Sequence, residues 1–325
     1  MRSYKQDRKT FFLAVNTGYV KDGSPDERAI EFYAERSGHG LSCSVVGNVV
    51  IPDGVASNDV CATISSAPAW RHLANAIADQ GAMPGIQLSS AWTAYEGMRK
   101  FVTIKSHENL GVYRAVASCF DREFVADAFR RLSQATDYAV GAGFQHIQLH
   151  AAHGYLFNLL IDQRFSQHAE YAHDLVERWA SKLRSAGVET SLRFSLYSGH
   201  PSLDSLNPET FLSHITSLPV DYLDVSAGLY NLDKHLIYPA RTEHIYFRHR
   251  STLDLAARHP DISFIISGKA SRIPADDLPP NIHIGLCRDL IANPDYLRDL
   301  SRGCEDCMKC HYYSRKTSNL NCGQW

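Results

Sequence analysis

Residues Ser263-Phe-Ile-Ile266 form a short apolar run that ends at Ser267-Gly268. A parallel strand that is buried on both faces has this continuous apolar character. Seven other short β-rich runs occur along the chain, and longer segments of helical periodicity separate them. The eight candidate strands are Phe11–Val15, Leu41–Val46, Gly85–Leu88, His146–His150, Thr190–Phe194, Tyr222–Val225, Ile262–Ser267 and His283–Leu286.

Seven helices are predicted beside these strands, and the order of the two element types decides the fold. The helices are Pro25–Ser37, Pro68–Asp79, Arg122–Val140, Ala169–Ser185, Pro208–Ser217, Phe247–Arg258 and Pro294–Ser301. Strands that alternate with helices predict βα units around a parallel sheet. We therefore predict an α/β fold, a (β/α)₈ TIM barrel over residues 1–302, with a short Cys-rich segment, residues 303–325, packed on it. A doubly wound open sheet is the alternative, but no Gly-x-Gly-x-x-Gly turn follows the first strand.

The composition argues against several classes of function. The 325 residues carry a formal net charge of −2, so no excess of Lys and Arg is present to bind nucleic acid or an anionic membrane. No stretch of about 18 apolar residues predicts a membrane span. The N-terminal residues 1–10 are charged and lack the apolar run of a signal peptide. We therefore expect a cytoplasmic protein.

Four of the eight cysteines, Cys304, Cys307, Cys310 and Cys322, lie close to the C-terminus in the spacing Cys-x₂-Cys-x₂-Cys-x₁₁-Cys. In a reducing compartment such a cluster favours a metal over disulfides. Four thiolates suit tetrahedral zinc or the corners of a [4Fe–4S] cluster. The spacing alone leaves both metals open.

Barrel enzymes carry their chemistry at the C-terminal ends of the strands. The richest candidate end is Ile147-Gln-Leu-His-Ala-Ala-His-Gly-Tyr-Leu156, which places His150, His153 and Tyr155 at the mouth of the barrel. Neutral imidazoles can donate hydrogen bonds to a developing oxyanion, and a phenol can deliver a proton. The two histidines can also ligate a metal, although no third ligand is evident beside them.

The segment His150-Ala-Ala-His-Gly-Tyr-Leu156 resembles the active-site strand of the Old Yellow Enzyme family, the NADH:flavin oxidoreductases. Further segments resemble that family in the same order along nearly the whole chain. They are Leu13–Thr17, Glu31–Arg36, Val45–Asn48, Gly85–Leu88, Leu192–Ser195, Asp221–Gly228, Ser267–Gly268 and Leu286–Pro294. The resemblance implies a barrel that binds FMN.

The resemblance also implies roles for individual residues. It places Thr17 and Gly47 beside the flavin ring, Gln87 at its pyrimidine edge, and Arg193 near N1 and O2, where a cation stabilises the reduced flavin. Gly268 and Arg288 are the implied phosphate ligands. His150 and His153 hold a substrate carbonyl oxygen, the flavin gives hydride to the β-carbon, and Tyr155 protonates the α-carbon.

The cysteine segment resembles the iron–sulfur branch of that family, which is similar to 2,4-dienoyl-CoA reductase and trimethylamine dehydrogenase. That branch has Cys-x₂-Cys-x₃-Cys-x₁₁-Cys, one residue longer in the second gap than Cys307–Cys310 here. The resemblance implies a [4Fe–4S] cluster, with zinc as the alternative. Only the barrel part of the branch is matched, so NAD(P)H or an external electron carrier is expected to reduce the flavin.

The predicted function is therefore FMN-dependent hydride transfer between reduced flavin and a small molecule with an activated C=C bond, or the reverse desaturation. One alternative is a flavin and iron–sulfur protein that passes electrons to a partner. Another is a metal-dependent barrel hydrolase that uses His150 and His153. The sequence departs from the family pattern at two places. Val15-Asn16 stands where the family usually has Pro-Met or Pro-Leu, and Cys287 stands where the family has Gly. The substrate, the direction and the oligomeric state stay open.

Overall fold

The computed structural model describes residues 8–97 and 107–325. Eight parallel strands close into a barrel, and we number them in chain order. They are β1 Thr10–Phe12, β2 Cys43–Val50, β3 Met83–Ser89, β4 His146–Ala151, β5 Glu189–Ser195, β6 Tyr222–Ser226, β7 Phe264–Ile266 and β8 Ile282–Leu286. Each predicted strand overlaps one of these, so the (β/α)₈ prediction is confirmed and the open-sheet alternative is excluded.

The first and last strands close the barrel. Phe11 in β1 has two register partners, Gly285 in β8 and Cys43 in β2. Position 285 lacks a side chain because a Cβ there would lie 2.5 Å from Cδ1 of Leu13. Inside the barrel the Phe11 ring packs against Tyr222, with 5.3 Å between ring centroids. Side chains from opposite strands therefore fill the interior, as expected for a barrel of eight strands.

Eleven helices occur in the described residues. They are α1 Glu27–Glu35, α2 Pro68–Ala78, α3 His107–Ser118, α4 Arg122–Ala142, α5 Leu156–Ile161, α6 Ala169–Ser185, α7 Pro201–Asp204, α8 Pro208–Thr216, α9 Lys234–Ile237, α10 Thr242–Arg258 and α11 Arg288–Ala292. A two-stranded hairpin, Val20–Lys21 with Ser24–Pro25, follows β1. Five of these helices, α3, α5, α7, α9 and α11, were not predicted, and the predicted start of α10 lies five residues too late.

The predicted helix Pro294–Ser301 is wrong. The last barrel helix is α11, directly after β8, and residues 294–301 form turns. The Asn293 side chain accepts a hydrogen bond from the N–H of Asp295, and the Asp299 side chain accepts one from Ser301, both at 3.1 Å. Asn and Asp side chains that bind the backbone two residues ahead favour turns over helix.

The longest helix shows how local sequence sets the element boundaries. The side chain of Asp121 accepts a hydrogen bond from the N–H of Phe124 at 2.7 Å and caps the start of α4. The helix ends at Gly143, whose φ of +103° is a left-handed conformation that glycine adopts without a steric penalty. Its buried face, which includes Val125, Phe129 and Leu132, packs on the barrel core.

The Cys-rich segment packs against the barrel at several separate points. The backbone N–H of Leu320 donates to the carbonyl of Thr17 at 2.7 Å, and the indole N–H of Trp325 donates to the carbonyl of Ile291 at 3.0 Å. Lys234 donates to the hydroxyl of Ser314 at 2.8 Å. Across residues 8–97 and 107–325, no helix is both long and apolar enough to cross a bilayer.

Candidate active site

A cavity of about 240 Å³ lies at the C-terminal ends of the barrel strands. Seven of the nine barrel residues predicted to form the site line this cavity: Gln87, His150, His153, Tyr155, Arg193, Gly268 and Arg288. They come from the ends of β3, β4, β5 and β7, from the turn after β4, and from the start of α11. The fold therefore brings together residues that are far apart in the sequence.

The other two predicted residues, Thr17 and Gly47, line a separate cavity of about 30 Å³. The Thr17 hydroxyl accepts a hydrogen bond from the N–H of Tyr19 at 3.2 Å, which holds it in the turn after β1. The main cavity is lined instead by their neighbours, Val15 and Asn16 after β1 and Asn48 in β2. The flavin contact predicted for Thr17 and Gly47 remains a prediction.

The turn after β4 depends on an unusual backbone conformation. His153 has a φ of +64°, in the left-handed region where a non-glycine residue is strained, and its N–H donates to the Ser195 hydroxyl at 2.9 Å. Gly154 follows with a φ of +81°, and a Cβ there would lie 2.5 Å from the Tyr113 ring. The His-Gly pair is therefore required to turn the chain between β4 and α5, which places Tyr155 against the cavity.

Both histidines of the site are neutral. Burial, together with the charge on Arg193, lowers the pKa of His150 to about 3. Burial and the same neighbouring cation also lower the pKa of His153. Nδ1 of His150 accepts from the N–H of Ala152 at 3.4 Å, so the ring proton lies on Nε2 and can be donated. His153 pairs through Nε2 with the Ser226 hydroxyl at 2.7 Å.

Tyr155 is surrounded by aromatic rings. Its ring centroid lies 4.8 Å from that of His150, 5.2 Å from that of Tyr95 and 5.7 Å from that of Tyr230. Burial raises the pKa of Tyr155, and hydrogen bonds from Ser57 and Tyr230 act in the opposite direction. The phenol is therefore protonated at neutral pH and available as a proton donor.

Arg193 is held by a buried network that runs across four strands. Arg193 and Asp224 are register partners on β5 and β6, and they form an ion pair at 2.9 Å with Asp224 fully buried. Gln148 on β4 donates to the same carboxylate at 3.3 Å and accepts from Gln87 on β3 at 2.5 Å. One continuous set of bonds thus orients both Arg193 and Gln87 at the cavity.

The other end of the cavity is cationic. Lys269 directly follows Gly268, and its ammonium forms an ion pair with Asp306 of the Cys-rich segment at 2.6 Å. Arg272 and Arg288 approach the same carboxylate at 2.7 and 3.7 Å. Gly268 has a φ of +75°, and a Cβ there would lie 2.9 Å from Pro239. A backbone turn without a side chain beside clustered cations is typical of a phosphate-binding site.

Arg248 is a buried cation that the sequence analysis missed. Its guanidinium donates to the carbonyls of Leu236, Ile237 and Val225 at 3.0–3.2 Å and to the hydroxyl of Ser267 at 2.5 Å. Burial, together with the charge on Arg193, lowers the pKa of Arg248 to about 9. This one side chain therefore links the ends of β6 and β7 to α9.

The four cysteines of the Cys-rich segment lie near one another but are not arranged as metal ligands. Within residues 8–97 and 107–325, no three His, Cys, Asp or Glu side chains are placed to hold a metal ion. Cys310 and Cys322 each lie within electrostatic range of Cys304 and Cys307, and Cys310 also lines the main cavity. This arrangement does not fit a preformed metal centre, although the donor set itself is one that zinc and iron–sulfur clusters use.

The sequence analysis missed several residues of the site, and only some of them carry a sequence signal. Lys269 directly follows Gly268, which was predicted to bind phosphate. Asp224 is an acidic residue within an otherwise apolar strand, and such a residue predicts a buried partner of opposite charge. Arg248, Tyr230 and Tyr238 lie in polar or mixed segments where nothing in the sequence separates a cavity residue from a surface residue.

A family model described as the NADH:flavin oxidoreductase / NADH oxidase family matches residues 13–306, nearly the whole barrel. The chain belongs to this family. A relative from Hypocrea jecorina (strain QM6a), "NADH-dependent flavin oxidoreductase iliE", is 26% identical over 157 residues, or 43% of this chain. That match spans 39% of the relative's length.

Solved structures share the fold of this family member. The old yellow enzyme homologue from Zymomonas mobilis is 16% identical, with a TM-score of 0.64 over 90% of this chain and 88% of that one. Histamine dehydrogenase from Rhizobium sp. 4-9 is also 16% identical, with a TM-score of 0.72 over 97% of this chain. This chain spans half the length of that second protein.

The cavity of this flavin oxidoreductase family member fits FMN. Nε of Arg193 and Nη1 of Arg288 are buried and have no hydrogen-bond acceptor within the part of the chain that the structure describes. Arg193 lies with Gln87 at one end of the cavity, where the edge of the flavin ring would supply acceptors. Arg288 lies beside Gly268 at the cationic end, where the phosphate of FMN would supply them. The two donors thus match the two polar ends of the cofactor.

Proposed function

We propose that the protein is an FMN-dependent oxidoreductase that transfers hydride between reduced flavin and the activated C=C bond of a small molecule. One observation carries the proposal. His150, His153 and Tyr155 line the same cavity as Gln87 and Arg193 at one end and Gly268 and Arg288 at the other. Bound FMN supplies the hydride, and the remaining steps belong to the side chains.

Each side chain of the β4 turn has a definite task in this proposal. Neutral His150 donates its Nε2–H to the carbonyl oxygen of the substrate and stabilises the negative charge that develops there. His153, fixed by Ser226, forms the second side of that oxygen site. Tyr155 then gives its hydroxyl proton to the α-carbon. Because the surrounding rings bury Tyr155, water does not compete as the proton donor.

The Cys-rich segment is proposed to bind a [4Fe–4S] cluster, with zinc as the alternative, and this proposal rests on the cysteine spacing and on the resemblance to the iron–sulfur branch. Binding requires Cys304, Cys307, Cys310 and Cys322 to rearrange around the metal. NAD(P)H or an external electron carrier is the proposed reductant. Iron, acid-labile sulfide and zinc assays on anaerobically purified protein decide between the two metals, and absence of all three contradicts metal binding.

The test of the main proposal is a visible spectrum of the purified protein after addition of FMN, followed by anaerobic reduction and mixing with 2-cyclohexenone. We expect bound flavin and reoxidation by the enone. In Tyr155→Phe, reoxidation by the enone is expected to slow by about 10²-fold or more, the usual scale for a lost general acid. Reoxidation by O₂ needs no carbon protonation and serves as the control in the same variant. Protein that takes up no FMN contradicts the proposal.

A second function has one observation in its favour. Cys310 of the Cys-rich segment lines the same cavity as Arg193, so a redox centre in that segment would lie beside the flavin site. The protein would then pass electrons to a partner without bond chemistry of its own. Bound flavin that reacts with no enone but exchanges electrons with a one-electron carrier such as ferricyanide would favour this function.

A further inference from the structure

Three tyrosines adjoin one another along the cavity wall. The Tyr230 hydroxyl hydrogen-bonds to that of Tyr238, and the phenols of Tyr155 and Tyr230 influence each other's pKa. The rings of Tyr155 and Tyr230 stack, with planes 21° apart, and the Tyr238 ring lies 4.5 Å from His311 in the Cys-rich segment. The chain thus leads from the proposed proton donor to the other side of the cavity.

All three phenols can carry a proton in either direction. Burial raises the pKa of Tyr155, Tyr230 and Tyr238, so each is neutral and each hydroxyl can donate and accept at once.

The charged and titratable side chains around this chain come from several elements. Tyr155 has Cys61, Tyr95 and His150 nearby. Tyr230 has His153, Lys234 and Arg193 nearby. Tyr238 has Cys287, Arg193 and His311 nearby. No carboxylate is among these neighbours in the described residues. The hydrogen bond that runs along this wall joins two phenols, Tyr230 and Tyr238.

We propose that Tyr230 and Tyr238 supply the proton that Tyr155 gives to the substrate. The inference rests on the proposed C=C reduction. Hydride from the reduced flavin forms the C–H bond at the β-carbon. The O–H bond of Tyr155 breaks as its proton bonds to the α-carbon. The Tyr155 oxygen then takes the proton of Tyr230, the Tyr230 oxygen takes that of Tyr238, and Tyr238 recovers a proton from bulk water.

The kinetic test follows anaerobically reduced, FMN-loaded protein mixed with 2-cyclohexenone in H₂O and in D₂O. In Tyr230→Phe and Tyr238→Phe, repeated turnover is expected to slow by about tenfold or more, because the relay to Tyr155 is cut. Reoxidation of the reduced flavin by O₂ needs no carbon protonation, so in the same variants it should slow far less than turnover with the enone. The solvent isotope effect on turnover should grow in both variants, since the return of the proton becomes rate-limiting.

The structural test needs neither substrate nor flavin. 3-Fluorotyrosine is placed at position 155, and its ¹⁹F chemical shift, which responds to hydrogen bonds at the phenol, is measured at neutral pH. Because Tyr230 lies against Tyr155 and is itself hydrogen-bonded to Tyr238, both Tyr230→Phe and Tyr238→Phe are expected to shift this resonance. Tyr95→Phe is the matched control. Tyr95 contacts the Tyr155 ring, but its hydroxyl has no hydrogen-bond partner within residues 8–97 and 107–325.

The outcomes separate the chain from the reaction. An unchanged ¹⁹F resonance in Tyr238→Phe overturns the relay whatever the enone rates are. A shifted resonance with unchanged turnover and isotope effect overturns it as well, and a slow Ser57→Ala variant would then point to Ser57 as the source of the proton. Absence of enone turnover in the unsubstituted protein contradicts the proposed function instead, and the fluorine resonance still decides whether the three phenols are coupled.

Discussion

The two ends of the cavity hold their cations in different ways. At one end Arg193 pairs with Asp224, which is fully buried and comes from the neighbouring strand. At the other end Lys269 and Arg288 approach Asp306, which is 30% exposed and comes from the Cys-rich segment. The first pair is part of the barrel itself. The second depends on a segment that joins the barrel from outside, so an incoming anion can replace its carboxylate.

The largest effect is expected at the buried pair. Asp224→Asn leaves the Arg193 guanidinium buried without its counter-charge, so we expect the free energy of unfolding to fall by about 3 kcal/mol. Urea unfolding measures this change. The exposed pair of Arg258 with Glu209, at 3.2 Å, is the control, and Glu209→Gln should cost about 0.5 kcal/mol or less. Equal losses in the two variants would contradict the distinction between the two kinds of pair.

The next effect concerns flavin affinity at the cationic end. Lys269→Met is expected to raise the Kd for FMN about tenfold, because a charge-assisted hydrogen bond to the phosphate is lost. The Kd for riboflavin, which lacks the phosphate, should stay unchanged. Arg272→Met is the matched control, since Arg272 touches the same carboxylate but is 47% exposed. Equal weakening of FMN and riboflavin would show that Lys269 supports the fold and not the phosphate.

A smaller effect of opposite sign is expected at the carboxylate. Asp306→Asn removes the anion that competes for Lys269 and Arg288, so FMN should bind about threefold more tightly at low salt. Titration of flavin fluorescence at two ionic strengths measures the difference, which should shrink as salt rises. Weaker binding in the variant would instead indicate that Asp306 orients the two cations for the phosphate.

The smallest effect lies at the opposite end of the barrel, where Glu189 contacts Lys9 and, at 3.4 Å, His146. Burial raises the pKa of Glu189, but the bonds from His146 and Lys9 outweigh it and bring the pKa to about 2, below the ordinary 4.5. The folded state then holds fewer protons than the unfolded state between these values. Its contribution is therefore present above about pH 4.5 and is lost as the pH falls through about 2.

Glu189→Gln tests this contribution. The variant should be less stable at pH 7 by about 0.5 kcal/mol, as for a partly exposed ion pair, and its stability should fall less steeply between pH 5 and pH 2. Urea unfolding across that pH range is the measurement. Parallel pH profiles of the variant and the unsubstituted protein would mean that Glu189 has the same pKa in both states.

Much of the fold could be predicted because it depends on periodicity. The apolar run at β7 is buried on both faces, and such a run is visible without any long-range information. The helix at 294–301 was wrong because Asn293 and Asp299 bind their own backbone, which competes with helix in a way that apolar periodicity does not register. Short helices such as α9 contain too few residues to establish a period.

The site was predictable where a residue type marks a strand end, and less so where the site depends on pairing across strands. His150, Tyr155 and Arg193 lie near or just after the C-terminal ends of strands. Because barrel enzymes carry their active sites at these ends, the fold alone predicts that all three reach the cavity. Tyr230 and Tyr238 reach it through the loop after β6, whose course is set by Arg248 from a helix further along the chain. No local pattern reports such a contact.

The closure of β1 on β8 has a consequence for how the chain is made. The backbone N–H of Leu13 donates to the carbonyl of Leu286 at 2.7 Å, and that of Ile284 donates to the carbonyl of Lys9 at 3.0 Å. The first strand is therefore not paired on both sides until the last strand has been synthesised. During synthesis one edge of β1 therefore stays unpaired until β8 emerges from the ribosome. An unpaired edge is a template for association with other chains. Nascent chains that stop before β8 are thus expected to aggregate.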